Sequence, residues 1–265
     1  MTQAIITDRE SFARRVGGLQ ARSDLASGPP ANPVAGPTGG AHRETLTPAM
    51  DIEQARFNMV EQQIRTWDVL DQEVLDLLFT VRREEFVPAA YRLLAFADLE
   101  VPLGNGEKMW APKMEARVLQ ELKLRPEENV LEIGTGSGYF TALLASQGAH
   151  VVSVEIDSRL SAEAQAKLAR AGMGSVELAV GDGARGWGTA TYDAIVLTGS
   201  TPVLPEGFVK QLNPGGRVFA VVGERPVMRA QLVRWVAPGA WVTGTLFETV
   251  LDSLKNAATP ARFEF

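Results

Sequence analysis

The chain has 265 residues, of which 45% are hydrophobic and 22% charged, a balance that suits one large globular domain with room for an appendage. A formal net charge of −6, with no dense Lys/Arg run, argues against a nucleic-acid or anionic-membrane partner. The absence of cysteine excludes disulfides, thiolate nucleophiles and cysteine-based metal or iron–sulfur sites.

In chain order, the opening MTQAIITDRESFARR lacks the apolar core of a signal peptide, and no stretch reaches the length of a membrane span, so a cytoplasmic setting is expected. Residues 24–49 are rich in Pro, Gly, Ala and Thr without an apolar period, and residues 1–49 are expected to form a disordered extension and linker. From Asp51 the pattern turns helical: Met59, Ile64, Val69, Val74, Leu75, Leu77 and Leu78 recur at spacings that predict one buried face, ending at Phe86-Val87-Pro88. Residues 99–111 read as an ordered loop marked by glycine and proline turns. A second helix is expected over 112–122, with Met114, Val118, Leu119 and Leu122 as its core stripe. Residues 50–125 thus form an N-terminal helical region.

After Arg125-Pro126 the texture alternates. Strands are expected at 130–133, 150–155, 176–180, 192–198 and 217–222, with helices over 139–146 and through Leu160, Ala164 and Leu168. The unbroken apolar run Ala194-Ile195-Val196-Leu197 suits a strand buried on both faces of a parallel sheet. Such alternation predicts an α/β domain over 126–265 with a doubly wound, mostly parallel, Rossmann-like sheet. Residues 231–236 and 241–246 flank the turn Ala237-Pro238-Gly239-Ala240 and predict a C-terminal antiparallel hairpin at one sheet edge.

The glycine run Gly134-Thr135-Gly136-Ser137-Gly138 falls where the first strand of this unit gives way to its first helix, the place where open α/β sheets bind ligands. Its G-x-G-x-G pattern differs from the dinucleotide fingerprint, whose third glycine would fall at Tyr139, and glycine lets a ligand lie close to the backbone. Glu132 just before the loop suits a cationic ligand, and S-adenosylmethionine carries both a sulfonium and an ammonium group. Glu155 ends the second strand, where a carboxylate accepts ribose hydroxyls. Asp182, between Gly181 and Gly183 after the third strand, is placed to accept the adenine amino group. Singly, each of these reads equally well as a connection, a surface acid or a turn former. Their succession at the ends of three consecutive strands points to S-adenosylmethionine as cofactor. Thr135, Ser137, Ile156 and Thr198 complete the expected contacts, and no metal site is expected.

The segment 59–223 resembles the protein-L-isoaspartate O-methyltransferase family. The resemblance is carried by Met59-Val60-Glu61-Gln62-Gln63-Ile64, Phe86-Val87-Pro88, residues 130–142, Val154-Glu155, Gly181-Asp182-Gly183, Tyr192-Asp193-Ala194-Ile195-Val196 and Gln211-Leu212-x-Pro214-Gly215-Gly216-Arg217. It implies methyl transfer from S-adenosylmethionine to the α-carboxyl of an isoaspartyl residue in a damaged protein, so the expected partner is a protein or peptide bearing a carboxylate. It also implies that Glu132, Gly134, Gly136, Glu155 and Asp182 contact the cofactor. The family's acceptor loop resembles Gly-Gln-Thr-Ile-Ser-x-Pro, with hydroxyls near the reacting carboxylate. This chain has Gly106-Glu107-Lys108-Met109-Trp110-Ala111-Pro112 in that register, so Lys108 and Trp110 stand where hydroxyls are expected. Lys108 would then pair with the acceptor by charge and Trp110 would line the pocket. The alternative is that Lys108 faces solvent and Trp110 packs beneath the loop.

Thr198 and Ser200, at the end of the fourth strand, are candidates for orienting the acceptor. His150 opens a strand whose far end faces the cofactor and is expected to be structural, while His42 lies in the linker. Trp67, Trp187, Trp235 and Trp241 are expected to pack, and Phe263 and Phe265 to dock on the sheet edge or fray. Rival readings are a same-fold methyltransferase with another acceptor and a cofactor-binding protein without catalysis. An amino-methylating nucleic-acid enzyme is weakened by Leu197-Thr198-Gly199-Ser200-Thr201-Pro202, which lacks Asp/Asn-Pro-Pro-Tyr, and cytosine C5 chemistry needs a cysteine. A short-chain oxidoreductase is disfavoured because no Tyr has its Lys partner one helical turn on.

Overall fold

The structure, a computed structural model, describes residues 48–259, with side chains from residue 52. The expectations for the extension, His42, Phe263 and Phe265 lie outside the described residues, apart from the extension's last two positions, which are helical. Five parallel strands and two antiparallel ones make a seven-stranded sheet. In chain order these are β3 (Asn129–Ile133), β4 (His150–Glu155), β5 (Glu177–Val180), β6 (Tyr192–Thr201), β7 (Leu212–Glu224), β8 (Val227–Ala237) and β9 (Ala240–Thr249). The spatial order is β5-β4-β3-β6-β7-β8-β9. Pairing is parallel from β5 through β7 and antiparallel for β7–β8 and β8–β9. The order reverses between β3 and β6, so the carboxyl ends of these strands open a crevice.

Helices α4 (Tyr139–Ser146) and α5 (Ser158–Arg170) follow β3 and β4, as the alternation predicts, and α6 (Glu206–Lys210) precedes β7. The aspartate preceding α5, Asp157, accepts from the backbone N–H groups of Arg159 and Leu160 and so caps the helix. β7 starts earlier than its apolar run suggests, and β6 continues through Thr201. One hydrophobic core runs from Met59, Val74 and Leu119 through Leu143, Val196 and Phe219 to Leu232, joining the N-terminal helices to one face of the sheet.

The N-terminal region departs from the single helical pattern. α1 (Pro48–Met59) passes into a π-turn (Val60–Ile64) and a 3₁₀ turn (Arg65–Trp67), and the chain restarts as α2 (Gln72–Thr80). Asp68 at φ 60° turns the backbone left-handed, and the Asp71 carboxylate accepts from the N–H groups of Glu73 and Val74 to begin α2. Gln120 of α3 (Pro112–Leu122) adds its carbonyl oxygen to the N–H groups of Leu70 and Asp71. The break is stable because side chains satisfy the backbone groups it exposes. Met59, Ile64, Val69, Val74, Leu75 and Leu78 are all buried, so the apolar spacing identifies the buried positions even though the helix is interrupted.

Residues 99–111 are more regular than a loop. β1 (Val101–Gly104) and β2 (Glu107–Met109) form a small antiparallel hairpin whose turn carries Gly104 and Gly106 at positive φ. α3 starts with Pro112 in its first turn, where a missing N–H costs nothing. Trp67 stacks on Phe247 at 5.0 Å, and Trp235 meets Trp241 across β8–β9 at 6.3 Å. Trp187 packs against a smaller apolar cluster that includes Ile133, Leu197 and Phe208.

Candidate active site

The crevice at the carboxyl ends of β3, β4 and β6 holds a cavity of about 110 Å³. Three segments enclose it: the glycine loop after β3, the β1–β2 hairpin with Trp110, and residues 251–255 beyond β9. Of the expected cofactor residues, Glu132, Gly134, Thr135, Gly136, Ser137, Glu155, Ile156, Asp182, Gly183 and Thr198 all line this one cavity, and Gly138 sits at the loop's end.

Glu132 is fully buried at the penultimate position of β3. Its Oε2 accepts from Thr141 Oγ1 at 2.5 Å and Ser153 Oγ at 2.6 Å, and Thr135 Oγ1 extends the chain to Ser153 Oγ at 2.6 Å. Its Oε1 is buried with no hydrogen-bond partner from the protein, and in the ionised form it is an acceptor suited to a cationic or N–H donor of a ligand. Burial pushes this carboxyl up to about 8; the two hydroxyl bonds offset part of the rise, and Glu155 adds to it. The folded state therefore holds a proton that the unfolded chain releases above its ordinary value of 4.5. This group makes stability fall as pH rises from 4.5 through about 8. Each such group changes stability by up to about 1.4 kcal/mol per pH unit. Urea unfolding across this range is expected to show a shallower slope for Glu132→Gln than for the native chain. Equal slopes would show that Glu132 does not hold the proton.

The loop glycines serve two purposes. A Cβ on Gly134 (φ +97°) would overlap Thr198 Oγ1, which donates to the carbonyls of Ile133 (2.9 Å) and Gly134 (2.7 Å). One on Gly138 would lie 3.1 Å from Ala164 Cβ, where α4 starts against α5. At both positions the protein itself already requires glycine, in addition to any approach by a ligand. Gly136 presents its N–H to Glu155 Oε2 at 2.8 Å, and Asp157 N–H bonds Glu155 Oε1 at 3.0 Å. Glu155 is thus fixed beside the loop with acceptor capacity remaining on each oxygen. Asp182 accepts from Ala184 N–H at 3.0 Å and from the Asn256 side-chain amide at 2.9 Å.

The two loop positions that depart from the resembled pattern resolve differently. Lys108, part exposed, bonds Asp252 Oδ2 at 2.7 Å and lies 3.4 Å from Glu100 Oε2; the bond to Asp252 and the charge of Glu100 raise its pKa. With Arg225 also on Asp252 (2.8 Å) and Lys255 on Glu107 (2.8 Å), the hairpin is clasped to the C-terminal segment over the cavity. Trp110 is buried between Phe140 (5.2 Å) and Phe219 (6.1 Å), while also lining the cavity. Its indole N–H has no partner. Ser200 does not face the cavity: its buried hydroxyl donates to Leu251 O at 2.9 Å, and its backbone bonds Asp252 and Leu254. Ser200 thus anchors the tail; the register of β6 on β7 shifts between Val196 and Ser200, which breaks the alternation that would otherwise put Ser200 on the face of Thr198. His150 opens β4, away from the carboxyl ends.

Residues that sequence reasoning missed are Leu103, Phe140, Glu115 and the 251–255 segment. The tail carries no motif, and contacts with residues distant in sequence, the bridge from Ser253 to Ser200 and the Lys108–Asp252 pair among them, bring it over the cleft. Glu115 had a signal, an acid beside the apolar stripe of α3, and it is 1% exposed. Among the described residues no group of three or more His, Asp or Glu side chains could hold a metal ion, and no helix is long and apolar enough to cross a membrane.

A mostly parallel sheet with an acid and a glycine loop at the switch point, a second acid at the end of the next strand and a third one strand further defines an S-adenosylmethionine-dependent methyltransferase. The chain matches the family described as protein-L-isoaspartate(D-aspartate) O-methyltransferase over residues 54–248, and it belongs to that family. It is 43% identical over 171 residues to the protein-L-isoaspartate O-methyltransferase of Methanoculleus marisnigri, covering 64% of this chain and 78% of that one. To the Methylorubrum populi enzyme of the same name it is 40% identical over 172 residues, covering 64% and 81%. A solved protein-L-isoaspartate O-methyltransferase superposes with a TM-score of 0.63 at 25% identity, covering 76% of this chain and 65% of that one. A Plasmodium falciparum structure of this type, in complex with S-adenosyl-L-homocysteine, shares the fold with a TM-score of 0.64 at 18% identity, covering 76% and 97%.

Proposed function

We propose that this chain methylates the free α-carboxylate of L-isoaspartyl residues in damaged proteins, with S-adenosylmethionine as methyl donor. The observation that carries the proposal is the meeting of the acceptor-loop hairpin and the glycine loop in one cleft, with Leu103 of β1 3.4 Å from the position of a Cβ on Gly136. Bound S-adenosylmethionine supplies an electrophilic methyl group on a sulfonium. Glu132 Oε1, Glu155, Asp182 and Ile156 are the groups to hold it, Glu155 by its ribose and Asp182 by its adenine. An acceptor carboxylate is ionised at neutral pH and already nucleophilic, so the protein's task is positioning and exclusion of water rather than base catalysis. Trp110, Phe140 and Leu103 provide the apolar wall for this. The partner is a protein or peptide, not a nucleic acid, in keeping with the net charge of −6, and the setting is cytoplasmic.

Incubation with labelled cofactor and an isoaspartyl peptide, beside its aspartyl counterpart, tests the assignment. Label is expected on the isoaspartyl peptide alone. Cofactor binding without transfer to that peptide would refute it. A second reading, another carboxylate or protein acceptor on the same fold, is favoured by Lys108, whose ammonium is committed to Asp252 and Glu100 instead of standing free for a carboxylate. Transfer to other carboxylates in the same assay, with none to the isoaspartyl peptide, would establish it.

A further inference from the structure

Glu115 lines the cleft from the first turn of α3, one turn beyond Trp110, and is 1% exposed. Its Oε2 is buried with no hydrogen-bond partner. The nearest cation is Arg83, whose Nη1 lies 3.5 Å away, an ion-pair separation. That guanidinium is engaged elsewhere: Nη2 donates to Trp110 O at 2.5 Å, Nη1 also reaches Met109 Sδ at 3.5 Å, and the group sits 5.3 Å over the Tyr139 ring. Arg83 therefore ties the acceptor loop's main chain to the neighbourhood of Glu115, so that loop and helix start form one rigid wall. Arg83 thus gives Glu115 Oε2 a nearby charge but no hydrogen bond, and a buried carboxyl that lines a ligand cleft is left with hydrogen-bonding capacity that the protein does not fill.

We propose that Glu115 is the acceptor-binding residue of this enzyme: its neutral carboxyl donates its O–H to the non-attacking oxygen of the acceptor carboxylate. The proposal rests on the carboxyl-methylating reading above. A neutral carboxyl offers the same kind of donor as a hydroxyl, and it lines the same cleft as Lys108, whose ammonium is taken up by Asp252, and Trp110, which carries no hydroxyl. An ionised Glu115 would instead repel the acceptor. The proton stays on Glu115, and no covalent bond of that residue is made or broken. Burial raises its pKa to about 8, the charge of Arg83 opposing the rise. Other titratable groups bearing on the region are Tyr139 of α4, itself influenced by Arg56 and Glu84, and the cleft-lining Glu132, Glu155, Glu100 and Lys108. A carboxylic acid kept neutral in an apolar site so that it can donate is an established device.

The test compares the full-length native chain with Glu115→Gln and Glu115→Ala, reading kcat/KM for the isoaspartyl peptide from neutral to alkaline pH. Infrared spectroscopy of the protonated-carboxyl carbonyl band is read beside it. Native kcat/KM is expected to fall as pH rises through about 8. Glu115→Gln, which keeps a donor, loses that fall and sits roughly tenfold lower at neutral pH; Glu115→Ala sits roughly 100-fold lower. The band is expected to diminish in Glu115→Gln and to shift in the native chain when peptide is added. Native-like kcat/KM in Glu115→Ala overturns the proposal, and so does a band that Glu115→Gln or peptide leaves unchanged. Should the native chain not turn over the isoaspartyl peptide, the substrate reading has failed, and the band is read with acetate as the probe. A Glu115-dependent shift then upholds the proposal, and its absence overturns it.

Discussion

Gly134→Ala is expected to weaken cofactor binding at least about 100-fold while the chain remains folded. The backbone at Gly134 lies at φ +97°, where an alanine costs roughly 1–3 kcal/mol. Its Cβ would also overlap Thr198 Oγ1, a short side chain held by two hydrogen bonds and unable to swing away as a long one could. Relief requires breaking those bonds, at about 1 kcal/mol each, or displacing the loop that presents the Gly136 N–H to Glu155. Either outcome disorganises the groups proposed to hold the cofactor. Titration calorimetry with S-adenosylhomocysteine, beside circular dichroism, measures the effect. Combining it with Thr198→Ala removes the overlap and is expected to restore part of the affinity. Native affinity in the single variant would show that the loop tolerates a side chain and that its glycine is incidental.

The largest stability effect is expected at Trp110. Trp110→Ala removes an indole packed between Phe140 and Phe219 and lowers unfolding stability by about 3–5 kcal/mol. The indole N–H has no partner, an existing cost of roughly 1–3 kcal/mol that Trp110→Phe removes while keeping most of the aromatic contact. Trp110→Phe is therefore expected to unfold within about 1 kcal/mol of the native chain. If the same N–H meets the acceptor, Trp110→Phe loses kcat/KM while keeping stability. Urea denaturation ranks the three proteins. An alanine variant as stable as the native chain would mean that Trp110 is not the packing element its surroundings indicate.

The contrast between Lys108 and Trp110 shows how far a motif register carries. Sequence register places both in the acceptor loop, and both do line the cleft. It does not reveal that Lys108 is bound to Asp252, because that aspartate lies far along the chain in a segment without motif or period. The same holds for Ser200, two residues beyond the cleft-lining Thr198 yet bonded to Leu251. Alternation along a strand assigns faces only while the register is regular, and β6 shifts register against β7 between Val196 and Ser200. Glu115 was hidden for a related reason: an acid next to an apolar stripe normally sits at the solvent edge, and only packing of α3 against the cleft wall makes it buried.

The N-terminal region shows the opposite balance. Its buried residues were legible from spacing, whereas the break between α1 and α2 depends on Gln120, a capping group on another helix.

By itself the sequence determined the parallel α/β architecture and the glycine loop and acids that meet in the cleft, because these rest on short-range patterns: two- and 3.6-residue periods and a strand–glycine–helix junction. The tertiary structure decided which side chains close the acceptor side. That depends on contacts between residues distant in sequence, such as Lys108 with Asp252, Ser200 with Leu251 and Arg83 with the carbonyl of Trp110. Burial and charge pairing at those contacts are properties of the packed whole, and no local pattern encodes them.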